Sequence, residues 1–160
     1  MAVIDFGGVK EEIITRKEFP MAKARRILRN ETIASIGYGV QGPAQSLNLK
    51  DNGFRVIIGQ AKKFKRDWER ARKDGWIPGK TLFDIAEAVQ RATVIEMLVS
   101  DAAQKQIWPI VKANLNAGDA LYFSHGFSIV YRDQTKIIPP KGIDVIMIAP
   151  KGSGTSVRRN

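Results

Sequence analysis

The sequence predicts a doubly wound α/β fold, Rossmann-like, with a parallel sheet covered by helices on both faces. Three observations carry that expectation. Apolar runs and helix-compatible segments alternate from residue 31 onward. The runs are continuous rather than polar–apolar alternating, as strands buried on both faces of a parallel sheet tend to be. The first of them, Ile33–Ile36, leads into Gly37, Gly39 and Gly42, a G-x-G-x-x-G turn that then opens a helix. Right-handed crossovers wind such units into one sheet, and ligands sit outside the carboxyl ends of its strands.

Taken in order, the lead-in runs to a helix at 20–30, where Pro20 suits a first helical position and MAKARRILRN spaces its apolar residues helically. After the strand at 33–36, a helix spans 41–52, with Pro43 tolerable in its first turn and Gly53 just past its end. RVIIG (55–59) is the next apolar strand. A short charged helix covers 65–73, with Glu69 and Lys73 at i, i+4 spacing. GWIPGK (75–80) is a loop, 82–92 a helix, and TVIEMLV (93–99) a strand. A helix over 101–115 is expected to break or restart at Pro109. ALYFS (120–124) and DVIMIA (144–149) complete the strands, with the one beginning near Ile33 expected at the sheet's centre.

Composition narrows the function classes. At 160 residues the chain has room for one ordinary core. No apolar run approaches the roughly 20 residues a membrane span needs, and the early acids of MAVIDFGGVKEE do not suit a signal or transit peptide. The absence of cysteine fits a reducing cytoplasm and excludes thiolate chemistry. With His125 as the sole histidine, a His-rich metal site is excluded too. The net charge of +10 gathers at 23–29, 62–73 and 151–159, with no interleaved aromatic platform. A phosphorylated small molecule therefore ranks above nucleic acid as the anionic partner.

The glycine turn points to a dinucleotide. Gly37 permits the turn, Gly39 lets the backbone approach a pyrophosphate, and Gly42 lets the helix pack closely on the strand. The helix start adds free N–H groups and a positive dipole end. Residues 31–160 are accordingly read as a dinucleotide-binding domain behind a 1–30 lead-in. Which dinucleotide stays open. The end of the second strand holds Gln60 rather than the ribose-binding acid expected of an NAD site; Lys62, Lys63, Lys65 and Arg66 favour a 2′-phosphate, and Asp67 opposes one. As for His125 and Lys151, each just past a strand, the ordinary roles are a loop histidine bonded to backbone and a solvated cation.

Four segments, IGYGVQGPAQSLNLKDNG, LVSDAAQ, LYFSHGF and APKGSGTSVRR, in this order and spacing, resemble ketol-acid reductoisomerase in the form seen in the fungal and Bacteroides-like branch. The resemblance implies an enzyme of isoleucine and valine biosynthesis. That family converts 2-acetolactate or 2-aceto-2-hydroxybutyrate, small 2-hydroxy-3-keto acids, by a Mg2+-dependent alkyl migration and a hydride from NADPH. It implies that Tyr38, Gly39, Val40 and Gln41 line the pyrophosphate, and that Ser100, Asp101 and Gln104 lie beside the cofactor. Gly154 would contact the cofactor, His125 would be catalytic, and Lys151 would sit near the substrate. Where the family commonly carries Arg and Ser for the 2′-phosphate, this chain has Ala61 and Asp67, so NADH is possible beside NADPH. The family's helical domain, with its magnesium ligands and subunit contacts, is expected to be absent from these residues. The chain alone is then expected to be inactive, and the homo-oligomer to belong to the full enzyme. A stand-alone nucleotide-binding fragment is the alternative.

Overall fold

The computed structural model describes residues 2–159. Its first two strands, Ala2–Asp5 (β1) and Lys10–Ile13 (β2), pair antiparallel as a separate hairpin within the lead-in. The turn between them uses Gly7 and Gly8, both at positive φ. A short helix, Met21–Ile27 (α1), starts directly after Pro20.

From there β and α alternate. Ile33–Ile36 (β3) enters the glycine turn, and Gln41–Asp51 (α2) leaves it. Val56–Gly59 (β4), Lys65–Lys73 (α3), Leu82–Phe83 (β5) and Ile85–Gln90 (α4) follow. Val94–Met97 (β6), Asp101–Ala113 (α5), Ala120–Phe123 (β7), Phe127–Val130 (α6), Arg132–Thr135 (α7), Asp144–Met147 (β8) and Gly154–Arg159 (α8) complete the chain. The six strands from β3 onward form one parallel sheet in the order β5-β4-β3-β6-β7-β8. Ile33 pairs with Val56 on one side and Val94 on the other, so β3 lies in the sheet's interior and the order reverses beside it.

Alternation along the strands sorts the core into two faces. Ala34, Ile36, Ile57, Ile95, Met97, Leu121 and Phe123 pack with α4 and α5 through Val89, Trp108 and Val111. On the other face Val56 and Ile58 meet Trp68 and Ala71 of α3, with Trp76 and Leu82. Beside that second cluster the same face turns polar. Ser35, Glu96 and Tyr122 stand in register across β3, β6 and β7.

Besides the unforeseen β1–β2 hairpin and the short helices α6 and α7, three elements differ from the sequence expectation. Leu82 and Phe83, read as the start of a helix, form the edge strand β5; both are buried, and the Asp84 backbone is extended ahead of α4. Pro109 sits inside an unbroken α5. It lies on the helix's exposed side, where the carbonyl it leaves unpaired, that of exposed Lys105, can reach water. Finally, β8 is exposed at all four positions, because it is a sheet edge and no helix covers it among the described residues.

Candidate functional site

The three glycines of the turn meet different demands. Gly37 has φ +102°, a left-handed conformation. A Cβ at Gly42 would run into the Gly37 carbonyl, so the helix start is pressed against the strand end. A Cβ at Gly39 would meet nothing within 4 Å. The open side of this turn therefore lies at Gly39, against the start of α2.

The neighbouring side chains hold the loop rather than fill it. Tyr38 is fully buried; its hydroxyl donates to Asp74 Oδ2 at 2.8 Å and accepts from Trp76 Nε1 at 2.8 Å. Burial, and then the Asp74 carboxylate, raise its pKa above the usual tyrosine range. Only its backbone faces the turn. Gln60, 5% exposed, accepts the Tyr38 N–H at 3.0 Å through Oε1, so the residue at the ribose position is spent on the glycine loop. Arg70 donates to the Gly39 carbonyl at 3.0 Å. Val40 is exposed, and Gln41 donates to the Gly152 carbonyl at 3.2 Å.

The basic loop stands free. Lys62, Lys63 and Arg66 are exposed, and among the described residues none of them is paired with a carboxylate. The two lysines lean over rings, Lys62 Nζ 5.5 Å from Trp68 and Lys63 Nζ 5.4 Å from Phe64. Asp67 falls in the first turn of α3, whose start carries no side-chain cap.

At the ends of β6 and β7 two sequence candidates come together. Ser100 precedes α5 in extended conformation, and Asp101 opens that helix. His125 Nε2 lies 3.4 Å from Asp101 Oδ1. The pair is within ion-pair range but outside hydrogen-bond geometry, which leaves that buried oxygen without a hydrogen-bond partner. His125 Nδ1 accepts the Phe127 N–H at 3.4 Å, which in a neutral ring puts the proton on Nε2, toward Asp101. Gln104 is turned inward. Its amide donates to the Val99 carbonyl at 3.2 Å and accepts from Ser128 at 2.7 Å, so its side chain braces α6. Lys151 is exposed after β8. Gly154 is buried with its Cα against the Val40 carbonyl, so α8 rests on the glycine turn itself.

Beneath α2, Glu96 is 6% exposed, and neither its Oε2 nor Ser35 Oγ has a hydrogen-bond partner. Burial pushes its carboxyl up to about 8; the nearby Ser35 hydroxyl eases the ionised form only in part. Burial also raises the Tyr122 phenol, and the Glu96 charge adds to that rise.

With this geometry in view, the model of the acetohydroxy acid isomeroreductase NADPH-binding domain matches residues 27–160. The chain belongs to this family. It is similar to a ketol-acid reductoisomerase (NAD(+)) of Desulfosudis oleivorans, 62% identical over 160 residues, all of this chain and 45% of that protein. The mitochondrial ketol-acid reductoisomerase of Neurospora crassa is 52% identical over 97% of this chain and 38% of its own. Among solved structures, an NADH-preferring ketol-acid reductoisomerase from an uncultured archean matches with a TM-score of 0.76 and 41% identity, over 83% of this chain and 40% of that one. The chain thus spans less than half the length of the relatives it matches.

Within this isomeroreductase domain the residues present fit a dinucleotide, since the turn is open where a pyrophosphate would lie and closed where the helix packs. A metal is another matter. Among the described residues no three of His, Asp and Glu gather as a metal site. Nor is any described helix long and apolar enough to cross a membrane. Sequence reading passed over Arg70 and Gln45, and did not anticipate that Gln60 serves the loop. For Gln45 a signal existed: it stands four residues after Gln41 and so on the same face of α2.

Proposed function

We propose that this chain holds the nicotinamide dinucleotide of a ketol-acid reductoisomerase, a homo-oligomeric cytoplasmic enzyme acting on 2-acetolactate or 2-aceto-2-hydroxybutyrate. The observation that carries the reading is the vacant side of Gly39 at the start of α2, with the Asp101–His125 pair at the neighbouring strand ends. When bound, the dinucleotide supplies the hydride. In this reading the backbone of Gly37, Tyr38, Gly39, Val40, Gln41 and Gly42 takes the pyrophosphate, and Ser100 and Asp101 border the nicotinamide side. Gln104 serves by bracing α6 beside that wall, and Gly154 by resting α8 on the glycine turn. His125, kept in one tautomer by Phe127 and facing Asp101, is placed to move a proton at Nε2. Lys151, exposed after β8, would stabilise a developing oxyanion in this reading. Magnesium and the alkyl migration it assists belong to the rest of such an enzyme.

The cofactor's 2′ position falls to the basic loop. A charged contact to phosphate is worth roughly 1.5–3 kcal/mol, and Asp67 opposes it by a comparable amount. Flexible exposed lysines hold a phosphate less well than an arginine fork, and Ala61 offers none. Discrimination between NADPH and NADH is expected within about tenfold. Titrating both into the parent and Asp67→Ser tests this: the variant should move toward NADPH, and an unchanged ratio would assign Asp67 to the helix start alone. Incubated with acetolactate, NADPH and magnesium, the 160-residue chain should show no turnover. Turnover would refute the assignment of the metal chemistry elsewhere.

A further inference from the structure

Three hydrogen bonds converge on a side chain that the dinucleotide reading leaves without a role. Gln45 Nε2 donates to Gln41 Oε1 at 3.3 Å and to Ser124 Oγ at 3.2 Å, while its Oε1 accepts the Tyr122 hydroxyl at 2.8 Å. The Tyr122 hydroxyl is also 2.8 Å from the Ile148 carbonyl, so one proton is shared between two acceptors. Gln41 carries the network on to the Gly152 carbonyl. Ser124 precedes His125, and Ile148 and Gly152 stand on either side of Lys151 in the chain. Both loops are thereby tied to the helix that begins at the glycine turn.

We propose that Gln45 is a positioning residue that couples occupancy of the α2 start to placement of the His125 and Lys151 loops. The coupling rests on the dinucleotide reading; the tether does not. Both amide hydrogens and the carbonyl of Gln45 are engaged, so its conformation is fixed from three sides. Without it Ser124 loses a donor and Gln41 loses the contact that steadies its bond to the Gly152 carbonyl, which loosens the two loops those bonds hold, while the Tyr122 hydroxyl on β7 keeps the Ile148 carbonyl. A dinucleotide that orders the first turn of α2 orders Gln41 and Gln45 with it. By reciprocity, loops already in place lower the ordering cost of binding.

Hydrogen exchange on the 160-residue chain tests this, with and without NADH or NADPH. Gln45→Met keeps the volume and removes all three bonds. Without ligand it should speed amide exchange by about tenfold in both 124–131 and 148–153, leaving 33–36 and 56–59 unchanged. Tyr122→Phe, which keeps the Gln45–Ser124 bond, should loosen 148–153 alone. With dinucleotide, the parent should slow exchange in 37–42 and in 124–131; in Gln45→Met only 37–42 should slow. Equal unliganded exchange in parent and Gln45→Met overturns the tether. Ligand protection that still reaches 124–131 in that variant overturns the coupling. If ligand protects nothing in the parent, the dinucleotide reading and the coupling fall together, and the tether is judged on the unliganded comparison. Should Gln45→Met unfold, Tyr122→Phe decides: loosening confined to 148–153 supports the tether, and uniform loosening overturns it.

Discussion

Replacing Gly39 by valine is expected to lower dinucleotide affinity at least about 100-fold, roughly 2.8 kcal/mol, with the fold intact. Fold and function separate here because Gly39 is not left-handed and a Cβ there meets no atom within 4 Å. The protein tolerates the side chain, whereas the pyrophosphate cannot, since it would need the same space to reach the N–H groups at the start of α2. Gly42→Ala would not discriminate, because its methyl strikes the Gly37 carbonyl and damages the helix–strand contact itself. Calorimetric titration of NADH and NADPH, beside circular dichroism of the variant, provides the measurement. Unchanged affinity would remove the turn from the binding site.

The second large effect is on stability. Glu96 has its carboxyl raised from 4.5 to about 8 by burial, so the folded state disfavours its charged form. Below the unfolded value both states hold the proton and there is no penalty. As pH climbs from 4.5 toward 8 the unfolded chain ionises first, and stability falls by about 1.4 kcal/mol per unit; above 8 the penalty is constant. Glu96→Gln should remove that slope. The variant should match the parent near pH 4.5 and exceed it by an amount on the order of 4 kcal/mol at pH 8. Denaturant unfolding across this range checks it, and parallel stability curves would show that the carboxyl finds a proton donor when folded. Tyr122, the other titrating group of the row, is raised and ionises above this window.

Much of the sheet was legible because its strands carry their own signal. Ile33–Ile36, interrupted only by Ser35, and Val56–Gly59 are apolar runs separated by a helix-length segment, and they pair as adjacent parallel strands. Leu82 and Phe83 were misread because a strand of two residues has no periodicity to see, and the helical run after it extends backward naturally. The N-terminal hairpin escaped notice because KEEI, with a single apolar residue, shows no alternation. At the site, the glycine roles follow from spacing, but side-chain direction does not. Tyr38 sits inside the motif yet points into the second core, and Gln60 occupies the ribose position yet turns to the Tyr38 amide. The direction of Tyr38 is held by Trp76 and Asp74, more than thirty residues away, which no local pattern brings near.

The bare strand β8 has a consequence for how the chain behaves in bulk. Val145, Ile146, Met147 and Ile148 are 41–62% exposed along an edge whose outer backbone groups offer a template for another chain. The surplus of ten positive charges opposes such pairing, a repulsion that reaches across water only while counter-ions are scarce. The screening length shrinks from about 30 Å at 0.01 M salt to about 10 Å at 0.1 M. Added salt therefore removes the barrier before it affects the apolar edge, so colloidal stability should fall as ionic strength rises, the reverse of ordinary salting-in.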